Sequence, residues 1–544
     1  MGLSFRRLST LMAAGFLSVT ACVAQAGAAQ VQAAEGAQSA ATPRPSIVRL
    51  DSGRIRGQDD GTVRTYSGIR FAQPPVGELR WKDPVAAKPW KGVADATKPA
   101  RQCTQMEAGK QIGGEDCLFL DVNAPAKPTR TALPVMVWLY GGGYTTGAGS
   151  AYDARRLADE GDVVVVTPNY RLGAFGYLAL KGLAGSGTFG LADQLEALRW
   201  VQRNAAAFGG DPRNVTLFGQ SAGGMSTCAL LTSPAARGLI DKAIIQSGSC
   251  MLDWVSGTYL PIPGMPSFTP YSSLQASQAT GHDAAETLGC AAGNELECLR
   301  AKPVSELMKV NDSFASNLAY GTPLLPLNPS QALREGRFLR VPVMSGGTKD
   351  ESNGFISGAA QAGFPVTAES YPKLMEGAFG ADADAVMKEY PLSDYASPGL
   401  AWARVGSDRA WACPTLAGDK AMAARTRVYA YEFADEKAPN ISNIPADFPP
   451  GAQHASELPY LFDLGGRPWW SLTPEQWRLA GQMVGYWTAF AHTGTPKVAG
   501  APAWPAFTKS RGTVLSLKPA DQGGIGPADY SSEHRCAFWS RLSS

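Results

Sequence analysis

The sequence predicts an α/β fold in which a mostly parallel central sheet carries helices on both faces and inserted segments form a cap. Short apolar runs recur along the chain, as the strands of a buried parallel sheet do, at residues 133–140, 163–167, 215–218, 243–246, 341–345 and 428–433. Between the second and third runs, Leu191, Leu195, Leu198 and Val201 fall on one face of a predicted helix. Alternation of strand and helix along one chain is typical of a parallel sheet covered on both sides.

Length and composition are those of a folded globular protein. The chain has 544 residues, of which 44% are hydrophobic and 18% charged. The chain contains no internal repeat and no second linker like the Ala/Gly/Gln-rich stretch 27–45, so residues 46–544 are predicted to form a single domain. Within it, residues 251–329 are rich in Pro, Gly and Ser, which indicates a cap over the working edge of the sheet.

The formal net charge of +2 predicts neither a nucleic acid nor an anionic membrane as partner.

The N-terminal residues 1–26 are predicted to be an export signal. Arg6 and Arg7 form a basic start, the stretch that follows is apolar, and small residues at 24–26 offer a cleavage site. That stretch is too short to span a membrane, and no later segment is long and apolar enough to do so. An alternative is a lipoprotein cleavage box that ends at Cys22 and would leave a lipid anchor there. We expect an exported protein, either periplasmic or secreted.

A G-x-S-x-G motif at residues 219–223 has Ser221 at its centre. The motif alone is weak in a chain with 60 glycines, but an apolar strand at 215–218 precedes it and a helical stretch at 222–231 follows. A sharp turn between strand and helix, flanked by small residues, exposes a serine hydroxyl for attack on a substrate. The sequence therefore predicts that Ser221 is a nucleophile.

Three consecutive glycines, at residues 141–143, follow another predicted strand. No side chain shields their N–H groups, which can donate to the oxyanion that develops when a nucleophile attacks a carbonyl. We expect Gly142, Gly143 and the backbone N–H of Ala222 to form such an oxyanion hole.

A serine hydroxyl needs a neighbouring base, and the chain offers four histidines. His454 lies in a loop of small residues ahead of an aromatic segment, where its ring can reach a pocket. His282, His492 and His534 are interpreted as surface or helix-capping residues. Position along the chain favours His454 and leaves the other three open.

The acid that orients the base comes between the serine and the histidine in folds with this type of turn. Asp350 and Glu351 directly follow the predicted strand 341–345 and its two-glycine turn. Catalytic groups collect at the carboxyl ends of central parallel strands, so this acidic pair is well placed. Chain order alone does not separate Asp350 from Glu351.

Several of these stretches together resemble the type-B carboxylesterase family, which has the α/β-hydrolase fold. Residues 208–224 fit the serine signature of that family in full, and residues 66–81, 115–122 and 169–176 resemble further family segments. The similarity runs from about residue 47 to residue 542 and implies that the chain hydrolyses carboxylic esters.

The resemblance also implies roles for individual residues. It assigns Glu351 as the acid and His454 as the base, which act with Ser221 as a catalytic triad. Ser247 takes the position of a supporting hydroxyl, Trp254 a position on the acyl side of the substrate pocket, and Gln220 a place in the same pocket.

Disulfide bonds are a further implication of the resemblance. The chain has nine cysteines, and setting Cys22 aside with the signal leaves eight. The family pattern pairs Cys103 with Cys117, Cys290 with Cys298, and Cys413 with Cys536. Cys228 and Cys250 are then left, and they are equally consistent with buried free thiols.

The expected substrate is a small-molecule ester, hydrolysed without a metal or an organic cofactor. The sequence contains neither an H-E-x-x-H motif nor a Cys/His cluster. The loop 103–117 has no Trp, so the aromatic wall of cholinesterases is missing and choline esters are disfavoured. Cleavage of amides, carbamates or thioesters by the same triad is one alternative, and a non-catalytic binding protein on the same fold is the other.

Overall fold

A sheet of thirteen strands, β1 to β13, dominates the computed structural model, which describes residues 43–262, 264–290, 293–465, 472–508 and 511–542. The predicted export signal and Cys22 lie outside the described residues. In chain order the strands are Arg44–Arg49, Arg54–Asp59, Val63–Arg70, Val93–Asp95, Phe119–Pro125, Leu133–Leu139, Val164–Pro168, Gly210–Gln220, Lys242–Gln246, Val343–Thr348, Val428–Phe433, Val514–Leu517 and Gly526–Ala528.

The strands are arranged in the order β1-β2-β3-β5-β7-β6-β8-β9-β10-β11-β12-β13, with β4 beside β2. The seven strands from β7 to β12 in this order are mutually parallel. At one side β1, β2, β3 and β5 pair antiparallel, and at the other side β13 does. The loops that follow the parallel strands therefore meet along one edge of the sheet.

Helices lie on both sides of this sheet. In the described ranges they are Arg155–Gly161, Gly173–Tyr177, Phe189–Asn204, Ala222–Thr232, Leu274–Thr287, Glu295–Ala301, Val304–Leu307, Pro329–Arg334, Asn353–Gln361, Ser370–Phe379, Ala383–Glu389, Pro398–Gly406, Cys413–Ala423, Pro474–Thr493, Tyr530–Glu533 and Cys536–Leu542, with a π-helix at Ser407–Ala412. Of these helices, none has the length and apolar character needed to cross a membrane. The predicted α/β class, with a parallel sheet centre between helices, is confirmed.

The six apolar runs of the sequence form the central strands β6 to β11. The first strand of the described residues begins at Arg44, two residues before the predicted start of the domain at residue 46. Strands β1 to β5 do not follow from the pattern of apolar residues. In β1, for example, exposed side chains alternate with half-buried ones, so no continuous apolar run marks it.

The predicted cap, residues 251–329, packs beside the helix that follows Ser221. Its strand Tyr271–Ser273 pairs in parallel with Leu318–Tyr320, apart from the main sheet. The Tyr271 hydroxyl donates to the carbonyl oxygen of Met225 at 2.9 Å. This bond fixes the cap against helix Ala222–Thr232.

Four disulfide bonds join the described segments. The three pairs that the resemblance implies are present: Cys103–Cys117, Cys290–Cys298 and Cys413–Cys536. The fourth bond joins Cys228 to Cys250, so these two are not free thiols. Four disulfides are typical of an extracellular protein, since reducing compartments keep thiols unpaired.

His534 is fully buried between two carboxylates, which corrects its interpretation as a surface or capping residue. Its Nδ1 lies 2.6 Å from Asp408 Oδ1, and its Nε2 lies 2.5 Å from Glu432 Oε1. Burial lowers the pKa of this imidazole, but the hydrogen bonds to both carboxylates outweigh burial and raise the pKa to about 9. A charged imidazolium therefore ties the C-terminal segment to β11 and to the π-helix Ser407–Ala412.

We expect His534→Gln to destabilise the fold more at pH 6 than at pH 9.5. Because folding raises the pKa of His534, its stabilisation is complete below the unfolded-state pKa of about 6.5 and is lost as the pH rises through about 9. Guanidinium unfolding midpoints across this range measure the difference. His282→Gln, at an exposed imidazole, is the control and should change the midpoints little. A His534→Gln effect that is equally large at both pH values would contradict this account.

Candidate active site

Ser221 lies in a sharp turn between β8, which ends at Gln220, and helix Ala222–Thr232. Its backbone φ is 55°, a value that a non-glycine residue adopts only when the surroundings enforce it. The Ser221 N–H donates to the Gln246 carbonyl oxygen on the neighbouring strand at 2.9 Å. A Cβ on Gly223 would lie 1.8 Å from the Leu139 carbonyl oxygen, so only glycine fits there. The predicted strand, turn and helix are all present.

Glu351 and His454 meet in the buried interior, although 103 residues separate them. His454 Nδ1 lies 2.5 Å from Glu351 Oε2, and each side chain is 3% exposed. The second carboxylate oxygen, Oε1, accepts the Thr348 N–H at 2.9 Å. A carboxylate accepts only, so Nδ1 of His454 donates, and Nε2 of the neutral ring is left as an acceptor.

Asp350, the other member of the acidic pair, has a different partner from Glu351. Asp350 Oδ2 accepts the Ala452 N–H at 2.9 Å, and the Asp350 N–H donates to the Ala452 carbonyl oxygen. Burial raises the pKa of Asp350. This residue thus holds the loop that carries His454, while Glu351 contacts the imidazole itself.

The glycine run lies beside Ser221 at the end of β6. A Cβ on Gly141 would be 2.9 Å from the Cβ of Ser221. Gly142 and Gly143 adopt φ values of 108° and 60°, which glycine tolerates without strain. In the described ranges, the N–H groups of Gly142, Gly143 and Ala222 donate to no other protein atom. These three donors are therefore available to a ligand.

One cavity, with a volume of about 200 Å³, is lined by Ser221, His454, Ala222 and the glycines 141–143. Although Ser221 and His454 share this cavity, no hydrogen bond joins the Ser221 hydroxyl to His454 among the described residues. Instead, the side-chain Nε2 of Gln220 lies 3.1 Å from His454 Nε2. Apo active sites often lack their working hydrogen bonds, which form when substrate enters.

Aromatic rings form one wall of the cavity. Trp254, the pocket residue implied by the resemblance, stacks on Phe268 at 4.9 Å and meets the edge of Trp411 at 5.0 Å between ring centroids. Trp411 and Phe355 also contact the His454 ring, at 4.9 and 5.1 Å. Phe355 lies in the helix Asn353–Gln361, which begins after Glu351, and no sequence signal marks either Phe355 or Trp411.

The cavity wall carries little charge. Of its described lining residues, Glu107 and His454 are those with titratable carboxyl or imidazole groups, and none is Lys or Arg. The cavity therefore suits an uncharged, apolar ligand better than an anion.

Sequence reasoning missed a buried polar network behind the serine. Gln246 Nε2 donates to Glu457 Oε1 at 3.0 Å, and Gln246 Oε1 accepts the Trp487 indole N–H at 3.0 Å. Burial raises the pKa of Glu457 to about 7, and the charge of Glu351 adds to the rise. Gln246 is the residue whose carbonyl oxygen holds the Ser221 N–H, so this network fixes the turn.

The remaining predicted residues lie as follows. Ser247 is buried with φ at 46°, and its N–H donates to Gly346, but in the described part of the chain its hydroxyl bonds to no triad residue. His282 lies on the surface with Nδ1 2.6 Å from Glu295, and His492 Nε2 lies 2.9 Å from the Gly161 carbonyl oxygen at another helix end. Neither histidine lines the cavity.

Comparisons with known proteins show the family to which this chain belongs. A model of the carboxylesterase family matches residues 44–539. The fumonisin B1 esterase of Sphingopyxis macrogoltabida is 33% identical over 90% of this chain and 89% of that protein. The para-nitrobenzyl esterase of Bacillus subtilis is 34% identical, covering 87% of this chain and 94% of the relative. A solved para-nitrobenzyl (PNB) esterase structure superposes with a TM-score of 0.73 at 31% identity, over 90% of this chain and 99% of that chain.

With a matched family model across nearly the whole described fold, and esterase relatives above 30% identity over most of its length, the chain belongs to the carboxylesterase family.

Proposed function

We propose that this carboxylesterase hydrolyses uncharged carboxylic esters through an acyl-enzyme on Ser221, with His454 as general base and Glu351 as the acid that orients the base. The observation that carries this proposal is the 2.5 Å contact between His454 Nδ1 and Glu351 Oε2, because the His454 ring lines the same cavity as Ser221. A buried histidine that is held by a carboxylate and shares a cavity with a serine in a sharp turn is the arrangement that can activate a hydroxyl.

Acylation begins when the ester carbonyl carbon lies against the Ser221 hydroxyl. Oγ bonds to that carbon as His454 Nε2 takes the hydroxyl proton, and Glu351 stabilises the imidazolium. The carbonyl oxygen becomes an oxyanion and accepts from the N–H groups of Gly142, Gly143 and Ala222. Loss of one such donor typically costs about 10²–10³ in kcat.

The tetrahedral intermediate then breaks its bond to the alcohol oxygen. His454 returns its proton to that oxygen, the alcohol leaves, and the acyl group stays on Ser221. Water repeats the sequence: it gives a proton to His454, attacks the acyl carbon, and releases the carboxylic acid as Ser221 regains its proton.

The preference for an uncharged acyl group follows from the cavity wall. An anion brought into an apolar cavity loses hydration and needs a cationic partner, and the described lining offers Glu107 instead. The rings of Trp254, Phe268 and Trp411 provide a large apolar surface for the ester.

We also propose that the protein is exported and acts as a periplasmic or secreted enzyme. Four disulfides support an oxidising compartment. The basic and apolar pattern of residues 1–26 supports an export signal, with Cys22 as the alternative lipid attachment site.

Glu351→Gln should lower kcat for p-nitrophenyl butyrate by about 10⁴-fold without unfolding the protein, because an amide cannot hold the imidazole in the required tautomer and charge state. Asp350→Asn is the matched control. The asparagine side chain of this control keeps an oxygen that can accept the Ala452 N–H, so we expect activity within about tenfold of the unmodified enzyme. Steady-state kinetics with circular dichroism as the folding check measure both. An equal loss in the two variants, or a larger loss in Asp350→Asn, would refute the assignment of Glu351.

Hydrolysis should discriminate against negative charge in the acyl group. At neutral pH we expect kcat/KM for p-nitrophenyl hemisuccinate to be at least about tenfold below that for p-nitrophenyl butyrate, since the carboxylate finds no cation in the described wall. Glu107→Gln should narrow this gap by removing repulsion, whereas Glu376→Gln, at an exposed site outside the cavity, should leave it unchanged. Equal kcat/KM values for the two esters would show that the proposed substrate class is wrong.

A further inference from the structure

The two ring nitrogens of His454 have different partners. Nδ1 donates to Glu351, so Nε2 of the neutral ring carries a lone pair that can accept one hydrogen bond. The side-chain amide Nε2 of Gln220 lies 3.1 Å from this atom. An amide nitrogen donates only, and the contact is therefore a hydrogen bond from Gln220 to the reactive nitrogen of the proposed base.

The position of Gln220 in the backbone keeps its side chain close to His454. Gln220 is the last residue of β8 and is 2% exposed. Directly after it, the strained Ser221 turn is fixed by the bond from the Ser221 N–H to Gln246. A long side chain at position 220 is thus confined beside the base, in the same cavity.

This contact competes with the reaction. His454 Nε2 has one lone pair, and in the proposed mechanism that lone pair must accept the proton of Ser221. Within the described residues, Gln220 is the hydrogen-bond partner of Nε2, and the Ser221 hydroxyl is not. The resting geometry therefore differs from the geometry needed for attack.

We propose that Gln220 is a positioning residue for the base: its amide donates to Nε2 of the neutral imidazole in the free enzyme and yields that nitrogen to Ser221 when substrate enters. This inference rests on the proposed role of His454. It adds that, in the free enzyme, an uncharged neighbour of the nucleophile holds the ring of the base through Nε2.

Donation to Nε2 stabilises the neutral ring relative to the imidazolium. The titratable groups that face His454 are Glu351, at Nδ1, and Glu457, which is buried three residues later in the chain and whose pKa burial raises to about 7. The other neighbours of the ring, Phe355 and Trp411, are uncharged. Loss of the Gln220 donor should therefore let His454 take up a proton at higher pH.

The test is a pH titration of His454 by NMR in protein labelled with [¹⁵N]histidine. The chain has four histidines, and the His454 signals are identified by their absence from His454→Gln. In Gln220→Met, which keeps the length of the side chain but cannot donate, the titration midpoint should rise by about half to one pH unit, the worth of one neutral hydrogen bond. In Gln220→Glu the midpoint should rise further, because a carboxylate favours the imidazolium. Gln331→Met, at an exposed glutamine, is the matched control and should leave the midpoint unchanged.

A midpoint that stays constant or falls in Gln220→Met would overturn the proposal, and so would a Gln220→Glu variant with an unchanged midpoint. If Gln220→Met does not fold, Gln220→Leu replaces it, and the same rise of the His454 titration midpoint is expected. The titration can be measured without turnover. If the unmodified protein hydrolyses no ester, the proposed function is refuted, and the titration midpoints of His454 still decide whether Gln220 donates to its Nε2. In an active enzyme, the acidic limb of the kcat/KM profile should move with the NMR midpoint.

Discussion

The buried contact between Glu351 and His454 is the interaction on which the rest of the site depends. Each side chain is 3% exposed, and a buried carboxylate or imidazolium without a partner costs about 3–5 kcal/mol. Here the carboxylate and the imidazole form a hydrogen bond with each other, and the Thr348 N–H donates to the second carboxylate oxygen. Because separating the two groups would leave each of them buried without its partner, the pair holds two loops together, although its members are 103 positions apart in the sequence.

The scaffold meets this constraint by ending parallel strands at one edge. Strand β8 delivers Ser221, and β10 leads to Glu351. Hydrogen bonds to backbone groups then fix the two loops. The Gln246 carbonyl oxygen accepts the Ser221 N–H, and Asp350 pairs with Ala452 in the loop that carries His454. Because these contacts use backbone groups, small changes in the cavity wall leave the reacting groups in place, and the wall is free to determine which ester fits.

The central fold and the turn at Ser221 could be predicted because their causes are local: continuous apolar runs make the strands β6 to β11, and small residues permit the turn. The choice of Glu351 over Asp350 required the family resemblance, since adjacent carboxylates differ only in what they contact. The contact of Trp411 with His454 and the hydrogen bond from Gln220 to His454 each connect residues that are distant in sequence, so no sequence spacing predicts either contact. The burial of His534 likewise depends on β11 and the π-helix packing around the C-terminal segment.

The central claim is that Ser221 carries the acyl group of the substrate, and mass spectrometry of the quenched reaction with a slowly hydrolysed p-nitrophenyl ester tests it most directly. We predict one acyl group per chain on the peptide that contains Ser221, accompanied by a stoichiometric burst of p-nitrophenol, and neither adduct nor burst in folded Ser221→Ala. An acyl group on another residue, or full turnover by Ser221→Ala, would contradict the account.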